Sequence, residues 1–218
     1  MTFSQKLSKV VLEISAIKFS PEKPFTWASG YRMPIYNDNR LLLGNPDHRM
    51  LVAEEFRNIL DALQITTDVV AGIATAGIPS ATSLANLIKT PLIYVRPSPK
   101  AHGMQNQVEG KLNKNQKVVV VEDLVSTGGS ALNAIKAIRD QGGSVQHCLC
   151  IFSYGFKETE SHFKEASCEL HPLLTFESLI KTATESNHLN QEQLKLLRDW
   201  HSDPFHWGDR QGFTSSQA

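Results

Sequence analysis

Two adjacent acids followed by a loop of small residues give the strongest chemical signal, in the stretch VVVVEDLVSTGGSA from Val118 to Ala131. The four valines read as a buried strand that ends in Glu122 and Asp123. In an open α/β sheet, ligands bind beyond the carboxyl ends of the strands, where paired carboxylates can accept hydrogen bonds from sugar hydroxyls. Ser126, Thr127, Gly128, Gly129 and Ser130 follow at the start of a helical pattern. Small residues there let the backbone approach a ligand, and the N–H groups and dipole of a helix N-terminus favour an anion such as phosphate. A lone Gly-Gly turn is more often only a turn, but the valine run and the acid pair shift the balance toward a phosphosugar site. The Walker spacing and the GxGxxG fingerprint are both missing, so an ATPase or dinucleotide site finds no support.

Two further segments carry chemistry of the same kind. The loop Ala74-Thr75-Ala76-Gly77 follows the apolar run Val69 to Ile73 and opens another helix, offering N–H groups to a second anion. By itself it reads equally well as a plain strand-to-helix turn. The segment from Arg96 to Gln116 is polar, without periodicity, and sits between two core strands, which is the pattern of a lid. Arg96, Lys100 and His102 make one end cationic, suited to negative charge developing on a leaving group, although a solvated basic loop would look the same.

These segments need a scaffold, and the periodicity supplies one. Phe3, Leu7, Val10, Val11, Ile14 and Ile17 form a helical stripe at the N-terminus. From Ser20 to Asn45 proline, glycine and aromatics predict short strands and turns. Asn45 before Pro46 starts a helix whose stripe runs through Leu51, Val52, Phe56, Ile59, Leu60 and Leu63. Strands at Val69 to Ile73, Leu92 to Val95, Lys117 to Val121 and Val145 to Phe152 then alternate with helices, one of them Gly129 to Gln141. Continuous apolar strands joined by helices imply an α/β fold with a mostly parallel central sheet flanked by helices. Beyond Leu170 the chain turns polar and helical. Three segments result: 1–45, a core at 46–170 carrying a flexible lid at 97–116, and a helical extension at 171–218.

Composition narrows the partners. The 218 residues hold 22 basic and 22 acidic side chains, so bulk charge points to no nucleic-acid or anionic-membrane partner. The N-terminus lacks a signal-peptide pattern and no run of about 18 apolar residues occurs, so a cytoplasmic protein is expected. His147, Cys148, Cys150, His162, Cys168 and His171 invite a zinc reading, but no CxxC or HExxH spacing is present; buried thiols and no direct protein-bound metal are expected.

The strand, acid pair and hydroxyl-glycine loop resemble the motif by which type I phosphoribosyltransferases bind 5-phosphoribosyl 1-diphosphate (PRPP). The resemblance implies that fold, with a small N-terminal hood. It further implies that Glu122 and Asp123 hold the ribose hydroxyls, that Leu124, Val125, Ser126, Thr127, Gly128, Gly129 and Ser130 cradle the 5-phosphate, and that Thr75, Ala76 and Gly77 meet the diphosphate. Arg96, Lys100, His102 and Gly103 resemble the catalytic loop of orotate phosphoribosyltransferases. In that family the loop reaches into the partner subunit's site, so a homodimer with a shared lid is implied, with Arg96, Lys100 and His102 both catalytic and PRPP-binding. The segment FTWASGYRMPIYNDNR, Phe25 to Arg40, is similar to the family's base-recognising hood, and Ser126 is the implied orotate contact. Mg²⁺ is the implied cofactor, held mainly through PRPP. Phe25, Trp27 and Tyr36 read as packing residues.

The sequence departs from the family pattern at Ala28, Ala76 and Pro97, where many members carry lysine, and at Met33, often serine. Orotidine 5'-monophosphate synthesis, as a step toward UMP, is the expected activity. A phosphoribosyltransferase for another base and a PRPP-sensing regulator stay open as alternatives.

Overall fold

Local sequence starts the first helix. The Thr2 hydroxyl accepts from the Gln5 N–H, and Gln5 Oε1 accepts from the Thr2 N–H at 2.9 Å, a capping box that opens α1 (Phe3–Glu13). The computed structural model describes residues 2–27, 30–98 and 106–213. The chain divides into two compact units, Met1–Leu42 with Phe176–Ala218, and Leu43–Thr175.

In the first unit, α1 is shorter than its apolar stripe suggested. Ser15 adopts a left-handed conformation (φ 56°), which ends the helix, and Ile17 opens β1 (Ile17–Phe19) instead of extending it. Then follow β2 (Phe25–Thr26), β3 (Arg32–Met33) and β4 (Ile35–Asn37). β1 pairs antiparallel with β4, and β2 with β3.

The second unit opens with α2 (Pro46–Ala62), where Asn45 caps by accepting from the Asp47 N–H at 2.8 Å and Pro46 takes a position whose N–H would be unsatisfied anyway. Next come β5 (Val69–Ile73), α3 (Gly77–Ile88), β6 (Leu92–Val95), β7 (Val108–Glu109), β8 (Lys117–Val125), α4 (Gly129–Asp140), β9 (Ser144–Ser153), α5 (Lys157–Glu165) and β10 (Glu169–Thr175). They form a six-stranded sheet in the order β10-β9-β8-β5-β6-β7, parallel throughout except for β7. Val69, Ala71, Ile73, Val118, Val120, Cys148 and Cys150 share one buried cluster with Ala131, Ala134, Ile135 and Ile138 of α4 and Phe163 of α5. Gly72, on the alternate face, lies against Ile78 and Ala81 of α3. Helices thus cover both faces, which is why the central strand β5 and the Val118–Val121 run of β8 are apolar on both sides.

The chain then returns to the first unit as α6 (Phe176–Glu185), α7 (Gln191–Ser202) and α8 (Trp207–Arg210). Trp200 and Trp207 are fully buried there, and Trp200 Nε1 donates to the Met33 sulfur at 3.0 Å. Sequence periodicity treated the two chain ends separately; they pack as one unit.

Three boundaries differ from the sequence reading. The segment after Leu170 begins with a strand, not a helix: Glu169 to Thr175 pair in parallel with β9. The strand carrying the acid pair does not end there, since Glu122, Leu124 and Val125 continue to pair with Cys150, Phe152 and Ser153. The lid is also shorter than 97–116, because Val108 is buried and pairs with Val95 as β7. Among the described residues, no helix is long and apolar enough to cross a membrane.

Candidate active site

Three of the sequence-predicted segments converge because their strands are neighbours. β5 lies between β6 and β8, with Ile73 opposite Val95 and Gly72 opposite Val121. The loop Ala74 to Ala76 and the lid stem at Arg96 therefore leave the carboxyl ends of β5 and β6, and the acid pair lies beside them near the carboxyl end of β8. The Ala74 N–H donates to the Val95 carbonyl at 2.8 Å, holding the first loop beside the lid stem. Gly77 brings the same loop against the acids: a Cβ added there would lie 2.5 Å from the Val121 carbonyl oxygen and 3.2 Å from the Glu122 Cα. Only glycine allows α3 to start this close to β8.

Glu122 is buried, at 6% exposure, among polar partners. Its Oε1 accepts from the Asp123 N–H at 3.0 Å and its Oε2 from Ser130 Oγ at 3.4 Å. Burial, reinforced by the hydrogen bond and charge of the Asp123 side chain, pushes the Glu122 carboxyl up from 4.5 to about 8. A buried acid held against a second acid is poised to ionise when a cation or hydroxyl donors arrive.

The loop between β8 and α4 is shaped by its neighbours. Leu124 and Val125 belong to the strand, and Val125 is buried with its carbonyl accepting from the Tyr154 N–H, so the cradle proper runs from Ser126 to Ser130. Gly128 caps α4 in a left-handed conformation (φ 86°), and a Cβ there would meet the Phe163 ring at 2.9 Å. No side chain caps α4, nor α3 at Ala76, so the first N–H groups of both helices face the loops. Thr127, Gly129 and Ser130 are exposed, and Ser126 is half-buried. Thr75 is exposed and joined to Ala74 by a cis peptide.

At the lid stem, the Arg96 N–H donates to the Gln107 carbonyl at 2.9 Å and Gln107 Nε2 donates to the Arg96 carbonyl at 3.0 Å. Asn133 Nδ2 on α4 donates to the Pro97 carbonyl at 3.0 Å. The buried Nε of Arg96 has no hydrogen-bond partner among the described residues. Lys100 and His102 lie outside the described residues, as does Ala28. Sequence reasoning missed Thr159, Gln107 and Asn133, the residues that hold these loops. Thr159 lies 33 positions from the Ser126 carbonyl to which it donates at 2.6 Å, and local sequence carries no sign of such a pairing.

Within the first unit, the hood aromatics are only partly packing residues. Phe25 and Tyr36 meet with ring centroids 5.6 Å apart, but Tyr36 stays 38% exposed. Trp27 Nε1 donates to the Ile35 carbonyl at 3.1 Å, fixing the turn between the short strands. Met33 is fully buried under Trp200, which suits a thioether better than the family's usual hydroxyl.

A family model, the phosphoribosyl transferase domain, matches residues 41–177. An orotate phosphoribosyltransferase of Cytophaga hutchinsonii is 44% identical over 207 residues, covering 95% of this chain and 99% of the relative. Among solved structures, the orotate phosphoribosyltransferase of Aeropyrum pernix superposes with a TM-score of 0.72 at 29% identity, covering 84% of this chain and 99% of that one. UMP synthase of Leishmania donovani superposes with a TM-score of 0.78 at 27% identity over 91% of this chain and 42% of its own. With the acid pair, the two helix-start loops and the lid stem gathered at one end of neighbouring strands, and with 44% identity to the Cytophaga relative over nearly the full length of both chains, the chain belongs to the orotate phosphoribosyltransferase family.

Proposed function

We propose that this chain transfers the 5-phosphoribosyl group of PRPP to orotate, giving orotidine 5'-monophosphate and diphosphate in pyrimidine synthesis. The single observation that carries the assignment is the convergence of the Ala74 to Gly77 loop, Arg96 and the Glu122–Asp123 pair on adjacent strand ends. Glu122 and Asp123 hold the ribose hydroxyls, Ser126 to Ser130 receive the 5-phosphate at the start of α4, and Thr75, Ala76 and Gly77 receive the diphosphate at the start of α3. Ser126 contacts the base. Arg96, Lys100 and His102 stabilise the charge that develops on the departing diphosphate, and a closed lid keeps out water that would hydrolyse PRPP.

The donor set near the acids is all oxygen, from Glu122, Asp123 and Ser130, which suits a hard divalent ion bound largely through substrate oxygens. Mg²⁺ would supply charge neutralisation to the diphosphate. The lack of lysine at Ala28, Ala76 and Pro97 shifts charge stabilisation onto Arg96, Lys100 and His102. Two copies sharing their lids, in the cytoplasm, complete the reading; a solution scattering mass of one chain refutes the dimer.

A spectrophotometric assay following orotate consumption with PRPP and Mg²⁺, set beside adenine, hypoxanthine and uracil, tests the assignment. Turnover of orotate alone is expected; binding of PRPP without turnover of any base would instead indicate a sensor. If Lys100→Ala leaves turnover within about twofold of the unmodified chain, too small for a lost charge contact, the role given to the lid fails.

A further inference from the structure

We propose that His147, Glu169 and His171 form a binding site for a d-block divalent cation of the zinc class, bridging the last two strands of the sheet. The site follows from strand register. Glu169 pairs with His147 across β10 and β9, and His171 lies two residues further along β10, so the three side chains share one face. Cys148, Cys150 and Cys168 belong to the opposite, core-facing cluster beneath α4 and α5. Of the six residues that suggested zinc in the sequence, His162 lies on α5, the pleat separates the three cysteines from His147 and His171, and a carboxylate that the sequence did not single out completes the set.

The spacing matches a metal site. His147 Nδ1 and His171 Nε2 are 3.1 Å apart, and Glu169 Oε2 is 3.7 Å from each. A point equidistant from all three lies about 2.0 Å from each, the length of zinc–imidazole and zinc–carboxylate bonds. Two imidazoles with one carboxylate select a borderline cation over Mg²⁺ or Ca²⁺, which prefer all-oxygen shells. Among the described residues, no second group of three His, Cys, Asp or Glu side chains converges in this way.

The electrostatics agree. Burial, followed by the neighbouring His147, holds the His171 imidazole below its ordinary value, so it presents a lone pair near neutrality. Without an ion, the facing ring nitrogens are at hydrogen-bond distance; metal binding requires both of them to present lone pairs, with any proton between them moved away. The His147 and His171 side chains are 25% and 13% exposed and the Glu169 side chain 73%, so the carboxylate has the most freedom to close onto an ion. The three residues border an open cavity of about 850 Å³ beside β10, which leaves room for a fourth, exchangeable ligand. The site is separate from the acid pair: His147 sits opposite Val119, three residues before Glu122 and about 10 Å back along the strand. An ion there would clasp the edge strand β10 to β9.

The test uses the full chain, stripped with chelator and kept in excess Mg²⁺. Calorimetric titration with Zn²⁺ and the d–d absorption of Co²⁺ report stoichiometry and ligand number. One Zn²⁺ per chain is expected, with affinity falling at least about tenfold in His147→Ala and in His171→Ala. Glu169→Gln tests the site without risk to the fold, because that side chain is largely exposed; a weaker Co²⁺ spectrum and affinity are expected. Cys150→Ser, which alters the opposite face away from the cavity, should bind as the unmodified chain does. No tight Zn²⁺ binding, equal affinity in Glu169→Gln and the unmodified chain, or loss of binding in Cys150→Ser would each overturn the proposal.

Discussion

The hydroxyl of Thr159, on α5, donates a 2.6 Å hydrogen bond to the carbonyl oxygen of Ser126, the first residue of the loop assigned to the 5-phosphate. Thr159 is itself buried, so this bond is made in low dielectric and positions the loop from outside the site. Thr159→Val keeps the shape and removes the donor. A loss of about 1 kcal/mol in stability is expected, together with a several-fold rise in KM for PRPP and a smaller change in kcat. Unchanged KM and melting temperature would show that the loop holds itself.

Gly77 makes a second kind of support, by close approach instead of hydrogen bonding. Alanine there places its Cβ 2.5 Å from the Val121 carbonyl oxygen, a backbone atom that moves only if β8 moves. Gly77→Ala should cost about 1–3 kcal/mol in denaturant unfolding and lower kcat/KM at least tenfold, because the displaced strand carries the acid pair. Retention of full activity would mean that the acids need no such precision.

Glu122 predicts the pH response. The folded carboxyl keeps its proton up to about pH 8, whereas in the unfolded chain it ionises near 4.5. Between those values the native state binds more protons, so the Glu122 contribution to stability is complete below the lower value and disappears as pH rises to the upper one. Glu122→Gln should flatten this part of the stability profile of the ligand-free protein, measured by thermal melts from pH 5 to 9. If the ionised acid accepts the ribose hydroxyls, affinity for PRPP with Mg²⁺ should rise as pH approaches 8 and calorimetry should record proton release. Neither effect should survive in the variant.

Arg96 offers the cleanest separation of function from fold. Its backbone is locked to Gln107, while its buried Nε takes no partner among the described residues. Arg96→Ala should therefore leave the melting temperature nearly unchanged and reduce kcat by about a hundredfold. Arg96→Lys should recover only part of that loss, since an ammonium does not reproduce the planar fork of a guanidinium. A large fall in stability with near-normal kcat would reverse the assignment.

The sheet and the acid pair were legible in the sequence because both are local signals: apolar runs of strand length, and two acids before small residues at a helix start. The buried Val108 that turns the lid back as β7, the strand at Glu169–Thr175 and the end of α1 before Ile17 were not, since each depends on a partner distant in sequence or on a single left-handed residue. The residue classes of the proposed phosphosugar site, lid and hood are properties of the sequence alone, as is the balance of charge between 22 basic and 22 acidic residues. Only the tertiary structure decided that the Ala74 to Gly77 loop, Arg96 and Glu122 stand at neighbouring strand ends, because strand order is set by pairing and not by position in the chain. It also decided which histidines meet. The two-residue pleat turns Cys148, Cys150 and Cys168 into the core and leaves His147, Glu169 and His171 together on the other face, a distinction invisible until β9 and β10 are in register.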